Sequence, residues 1–261
     1  MTNNPPSPNS IPASGVLPSS GVLSTSGVLS TSGVLKLLVD TADVSIWERL
    51  LPSGVFFGVT TNPKLINQAG LPCTLDSLRA LARSAFALGA NEIHLQVWGT
   101  DSAEMLARGR ELAAIDPRVR VKVPGTRLGF PCAKTLANEG ANVTLTALYA
   151  AQQTLAAIAL GAAYAVPYLG RMNDAGLDGL TEVRAMQDIV RQFPTRTRIL
   201  VASIRQLSDV VTLARYGVGV YALLPPLAEA LLDHPLSIQA AADFEENARA
   251  ANQRLAQSAT Y

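Results

Sequence analysis

The run at residues 119–126, VRVKVPGT, decides the fold. Val119, Val121 and Val123 alternate with Arg118, Arg120 and Lys122, the period of two that a β-strand imposes. Pro124 and Gly125 end it. If the valines face packed helices, Lys122 points into whatever the sheet encloses. A lysine near the exit end of such a strand has two readings. It can be solvated or ion-paired, the usual fate of the residue type. It can also be a Schiff-base amine, because an apolar wall disfavours the charged ammonium and frees a nucleophile for a carbonyl.

Outward from this strand the chain alternates between short apolar runs and helical periodicity. Upstream lie strands at 36–40 (KLLVD), 55–61 and 92–98 (EIHLQVW), with a turn at Asn62-Pro63. The helices among them fall at 44–51 and 74–88, and a further one opens at Asp101 or Ser102, both good N-caps. Downstream a helix runs to Gly140, and strands follow at 142–146 (NVTLT), 163–169 (AYAVPYL), 198–203 (RILVAS) and 218–224 (VGVYALL). Helices are expected at 149–160, 178–192, 206–216 and 227–232, and a terminal one at about 238–257. About eight strand–helix units in unbroken succession argue a (β/α)8 TIM barrel with an extra C-terminal helix. An open doubly wound sheet is the alternative. It would carry a Gly-rich turn after its first strand, where this chain has DTAD.

The first 35 residues are of another kind. They hold no charged residue, and SGVL recurs at Ser14, Ser20, Ser26 and Ser32 with a strict period of six. So few turns of a β-helix could not bury a core. The reading is a low-complexity, disordered tail over 1–35, followed by a catalytic barrel domain over 36–261.

Composition narrows the function. With 48% hydrophobic and 16% charged residues, the body suits a well-packed soluble domain, and a net charge of +1 favours neither nucleic acid nor an anionic membrane. No apolar run reaches membrane-spanning length. Cys73 and Cys132 lack metal-ligand spacing and read as free thiols in a reducing compartment. The expected location is cytoplasmic, with plastid import as the alternative, since the tail lacks acids but also lacks arginine.

In such barrels the site forms at the C-terminal ends of the strands. Those ends supply Asp40; Thr60, Thr61 and Asn62; Gln96; Lys122; Thr144 and Thr146; Tyr168 and Arg171; Ser203 and Arg205. Each has a structural alternative. Asp40 and Ser203 could cap helices, Asn62 could serve a turn, Tyr168 could be core, and the arginines could form surface ion pairs. Together they place a lysine, two arginines and an acid at one mouth. His94, two residues before Gln96, faces inward and reads as a packed, hydrogen-bonded histidine.

VDTAD, GVTTNP, VRVKVPGT, the G-A-x-Y-x-x-P-Y-x-G-R run ending at Arg171, and VASIR together resemble the transaldolases, above all the short group that includes fructose-6-phosphate aldolase. The resemblance covers residues 36 to about 244. It implies a class I aldol enzyme without metal or cofactor, acting on sugar phosphates in the pentose phosphate pathway through a Schiff base on Lys122. It implies Asp40 as acid/base and Gln96 as holder of a catalytic water with Tyr168 beside it. Thr146 matches the family threonine. Asn62, Thr60 and Thr144 fall at the dihydroxyacetone unit, and Arg171, Ser203 and Arg205 match the phosphate set. A homo-oligomer joined through the terminal helix is also implied.

The chain departs from the family pattern at four positions. Thr144 stands where many transaldolases have Asn, Gln96 where they have Glu, Val166 where they have Ser or Ala, and Arg120 where they have an apolar residue. Fructose-6-phosphate cleavage of the aldolase type, or a catalytically silent binding protein, are the rival functions. Arg120 also yields an expectation of its own. By the alternation that turns Lys122 inward, Arg120 and Glu92 both face the interior on neighbouring strands, and an unpaired guanidinium there is costly. They should pair.

Overall fold

The computed structural model describes residues 34–258. Of the expected tail, only the exposed Val34 and Leu35 fall within it; the rest of that tail lies outside the described residues. Eight parallel strands close on themselves in sequence order, β1 pairing with both β2 and β8. They are β1 (Lys36–Asp40), β2 (Gly58–Thr60), β3 (Glu92–Gln96), β4 (Val119–Pro124), β5 (Val143–Leu148), β6 (Tyr164–Pro167), β7 (Arg198–Val201) and β8 (Val220–Leu223). The barrel reading holds and the open-sheet alternative does not.

Alternation sorts each strand's side chains between two cores. Leu37, Val39, Ile93, Leu95, Val119, Val121 and Val123 point outward and pack, fully or nearly buried, against the helices. A smaller apolar cluster fills part of the interior, with Leu38, Tyr164, Val166, Tyr168, Leu200, Ala202, Val220 and Ala222. All of these lie on β1, β6, β7 and β8 or their immediate ends. The interior positions of β2 to β5 are polar: Thr60, Glu92, His94, Gln96, Arg120, Lys122, Thr144 and Thr146. One wall of the barrel lumen is therefore apolar and the other polar.

Helices cover the outside, and Asp43, Asn62, Thr74, Asp101 and Asp178 each open one through a side-chain cap. Between β2 and β3 lie α2 (Pro63–Gln68) and α3 (Leu75–Ala87), after α1 (Val44–Leu50). Thr74 accepts from the Ser77 amide to start α3, and Leu78, Leu81, Ala82 and Ala85 form its buried stripe. The covering series continues with α4 (Ser102–Ala113), α5 (Gly129–Asn138), α6 (Gln153–Leu160), α7 (Leu169–Asp174), α8 (Gly179–Arg191), α9 (Leu207–Arg215) and α10 (Pro225–Leu232). Asp101 caps α4 by accepting from the Glu104 amide. The final helix, α11 (Pro235–Ser258), is exposed from Pro235 to Leu255 except for the half-buried Ala240. Among the described residues no helix is long and apolar enough to cross a membrane.

Three local differences from the sequence reading have physical causes. The helix expected at 149–160 begins only at Gln153, because the preceding amides bond elsewhere. Gln153 Oε1 accepts from Tyr149 N (2.8 Å) and Ala150 N (3.2 Å), and Glu182 Oε2 accepts from Ala151 N (2.7 Å). The strand at 163–169 stops at Pro167, and Tyr168 becomes the residue before α7. The helices α2 and α7, six residues each, are too short to show a period in sequence.

Candidate active site

At the C-terminal end of the barrel a cleft of about 180 Å³ is lined by Asp40, Asn62, Lys122, Tyr168, Arg171, Ser203 and Arg205, together with Lys64, Gln68 and three apolar residues. Seven of the side chains picked out by strand position thus share one cavity. Lys122 is 3% exposed. Its Nζ donates to Thr60 Oγ1 (3.1 Å) and to the Thr61 carbonyl (2.9 Å). The amine is held in one place by the end of β2, which β4 reaches across the lumen.

Asp40 ends β1 and is buried beside this amine. Burial pushes its carboxyl above the ordinary range, and the charges of Lys122 and Arg171 pull partly against that shift. A carboxyl so placed holds its proton to higher pH than a surface aspartate does. Asp40 does not cap α1; Asp43 does, accepting from the Ser45 amide at 2.9 Å. Asn62 is the cap of α2. Its Oδ1 accepts from Lys64 N (3.0 Å) and Leu65 N (3.1 Å), and Pro63 occupies the first helical position where its missing N–H is harmless. This fixes the asparagine, leaves its Nδ2 without a partner among the described residues, and brings α2 over the cleft. Lys64 and Gln68, four residues apart on α2, therefore reach the cavity. The sequence reading missed both. The only signal was their position just after GVTTNP.

Arg171, Ser203 and Arg205 are brought together by a close approach of two loops. The Gly170 amide donates to the Ser203 carbonyl at 2.8 Å. A Cβ at Gly170 would lie 2.2 Å from that oxygen, so only glycine permits the contact. Ser203 itself adopts φ 58°, the left-handed region that non-glycine residues seldom occupy. Arg171 stacks over the Tyr168 ring at 4.7 Å. Arg205 pairs with Asp174 at 2.8 Å, but both are more than half exposed. Such a pair is worth little and leaves the guanidinium recruitable.

The remaining predicted residues sit beneath this layer. Tyr168 Oη shares a 3.1 Å hydrogen bond with Thr146 Oγ1. Gln96 lies beside Lys122 in register, and its Oε1 is buried with no partner among the described residues. Thr144 is not among the residues lining the cleft; its hydroxyl is bonded to His94 Nδ1 at 3.0 Å. His94 is fully buried, its other nitrogen 3.3 Å from Glu92 Oε1. Burial pushes its pKa down, although the Glu92 hydrogen bond and charge oppose this.

The Arg120–Glu92 pair is present, with Nε 3.2 Å from Oε2. Glu92 also receives Lys36 Nζ at 3.1 Å and Tyr164 Oη at 2.9 Å. Burial alone would raise its pKa. The His94 hydrogen bond and the charges of Lys36 and Arg120 overcome this and hold the carboxyl well below the usual range. Gly58 makes room for it, since a Cβ there would meet the Glu92 carbonyl at 2.2 Å. Both cysteines are free, and burial raises the Cys132 thiol to about 11.

Residues 37–260 match the family model described as Transaldolase/Fructose-6-phosphate aldolase. A protein named "Probable transaldolase" from Rhodospirillum centenum is 36% identical over 211 residues, covering 80% of this chain and 89% of that one. Another of the same name from Nitrosopumilus maritimus is 33% identical over 205 residues, covering 78% and 90%. Among solved structures, a thiamine phosphate pyrophosphorylase from Pyrococcus furiosus aligns with a TM-score of 0.55 at 15% identity, over 77% of this chain and 95% of that one. That likeness is one of fold alone.

Proposed function

The chain belongs to the transaldolase/fructose-6-phosphate aldolase family, and from that premise we propose that it transfers a dihydroxyacetone unit between sugar phosphates through a Schiff base on Lys122, as a transaldolase of the pentose phosphate pathway. The observation that carries this reading is the placement of the buried Lys122 amine in one cleft with Asp40, Asn62 and two arginines.

In the proposed sequence the unprotonated Lys122 amine attacks the C2 ketone of a ketose phosphate. Loss of water gives an iminium, which withdraws electrons from C3. Asp40 takes the C4 hydroxyl proton, directly or through a water held by Gln96 and Tyr168. The C3–C4 bond then breaks, its electron pair forming the enamine on Lys122, and the aldehyde phosphate leaves. An acceptor aldehyde adds to the enamine, Asp40 returns the proton, and hydrolysis of the new iminium frees Lys122. Asn62 and Thr60 orient the dihydroxyacetone portion. Arg171, Arg205 and Ser203 bind the phosphate, which paired guanidinium groups suit in shape and charge.

Borohydride reduction in the presence of fructose 6-phosphate, followed by intact-mass measurement, tests the covalent step. A reduced dihydroxyacetone adduct on Lys122 is expected. Absence of any adduct would favour a silent binding protein. A second reading, aldolase-type cleavage, is favoured by Gln96 and Tyr168 at positions where the aldolase-like members carry them. Release of free dihydroxyacetone without an acceptor would identify it. The partner reading is a homo-oligomer joined through α11, which presents Leu236, Ile238, Phe244 and Leu255 to solvent. A monomer mass by light scattering at micromolar concentration would refute it.

A further inference from the structure

The opposite, N-terminal end of the barrel holds a second and larger cleft, of about 370 Å³. It lies among the first residues of the strands. Lys36 opens β1, Arg120 is the second residue of β4, Arg198 opens β7, and Arg196 precedes it by two. Parallel strands present their first residues at one rim, so four cations far apart in sequence meet there, with Asn142 and Tyr164 beside them.

Against these four stands one carboxylate, Glu92, which is fully buried. Its oxygens are occupied by Lys36, Arg120, Tyr164 and His94. Arg196 and Arg198 have no carboxylate partner among the described residues. The residues outside that set, 1–33 and 259–261, contain no aspartate or glutamate. The rim therefore carries about three uncompensated positive charges.

The guanidinium groups are anchored but not saturated. Arg198 donates through Nη2 to the Val34 and Gly219 carbonyls. Arg196 shares the Gly161 carbonyl through Nε and Nη2 at 3.4 and 3.2 Å. Arg120 uses Nε for Glu92 and Nη1 for the Pro117 carbonyl. Among the described residues this leaves Nε and Nη1 of Arg198, Nη1 of Arg196 and Nη2 of Arg120 without acceptors. Mutually repelling cations with fixed stems and spare N–H groups, three of them half-buried and Arg196 exposed, cost free energy that a multivalent oxyanion recovers. The cleft's volume suits a small molecule.

We propose that this N-terminal cleft is a second ligand site, which binds the phosphate group of a small phosphorylated molecule and is separate from the mouth that holds Lys122. The test is calorimetric titration of the full-length chain with inorganic pyrophosphate at low ionic strength, where charge attraction is least screened. The upper mouth has arginines of its own, so the decisive background is the double variant Arg171→Ala, Arg205→Ala. Pyrophosphate should still bind to it at one equivalent per chain. Adding Arg196→Ala should then weaken binding by about tenfold, as loss of a charge-assisted hydrogen bond does, and Arg198→Ala should weaken it at least as much. Arg196 is exposed and holds only a carbonyl, so its variant keeps the fold, which the melting temperature verifies. Loss of all binding in the Arg171/Arg205 double variant would overturn the proposal. So would binding in that background that neither Arg196→Ala nor Arg198→Ala changes.

Discussion

Glu92→Gln is the sharpest test of how the lumen is held together. The side chain is inaccessible to solvent, and five contacts at 2.9–3.3 Å converge on its two oxygens. Lys36, Arg120 and Tyr164 are donors to it, and they touch both oxygens. A glutamine loses the charge, and its amide N–H2 finds an acceptor only at the Oε1 position, where Tyr164 Oη or His94 Nε2 must turn from donor to acceptor. Breaking a buried pair by removing one partner costs about 3–5 kcal/mol. Lys36 and Arg120 are 16% and 18% exposed and can regain some water, so the lower end, about 3 kcal/mol, is expected. For a domain of this size that corresponds to a fall in Tm of about 6–12 °C.

Equilibrium unfolding in urea is the assay, with the midpoint falling and the slope unchanged. The pH dependence has a definite sign. Glu92 is held below its ordinary value of 4.5 in the folded chain, so its contribution is complete above that pH and fades as the pH falls towards the depressed value. The gap between wild type and variant should therefore shrink on acidification below about 4.5. A loss under about 1 kcal/mol at neutral pH, or a gap that widens in acid, would refute the reasoning.

Other substitutions probe the upper mouth. Lys122→Met should fold normally, yet show no borohydride-trapped adduct and no turnover; a trapped adduct in that variant would place the Schiff base elsewhere. Asp40→Asn should lower turnover by about 10²–10⁴-fold. It should also raise stability at neutral pH, because a carboxyl whose folded pKa lies above its ordinary 3.8 loses stability as pH climbs through that interval. The gain should vanish below 3.8, and a lower Tm than wild type at pH 7 would count against the assignment. Gly170→Ala forces a Cβ onto the Ser203 carbonyl. About 1–3 kcal/mol of stability should be lost, and KM for a phosphorylated substrate should rise as Arg171 and Ser203 separate; an unchanged KM would show that the contact does not position the phosphate side.

The sequence by itself determined the barrel, because eight alternating apolar runs separated by helical segments leave few ways to bury both faces of the strands. It also determined which side chains enter the lumen. Parity along VRVKVP turns Lys122 and Arg120 to the same side, and the same parity on β3 supplies Glu92, His94 and Gln96. Hence the Arg120–Glu92 pair and the packed His94 could be read before any coordinates. Only the tertiary structure decided which lumen residues share a cavity. Thr144 has the same parity as Lys122, yet its hydroxyl is engaged by His94 from β3, two strands away. Lys64 and Gln68 reach the mouth because Asn62 starts a helix of six residues, too short to leave a period. At the other rim, Lys36, Arg120, Arg196 and Arg198 are unremarkable in a chain whose net charge is +1. Charge compensation depends on distances in space, and barrel closure sets those distances by pairing β1 with β8, Lys36 beside Val220, which brings Lys36 and Arg198 to one rim.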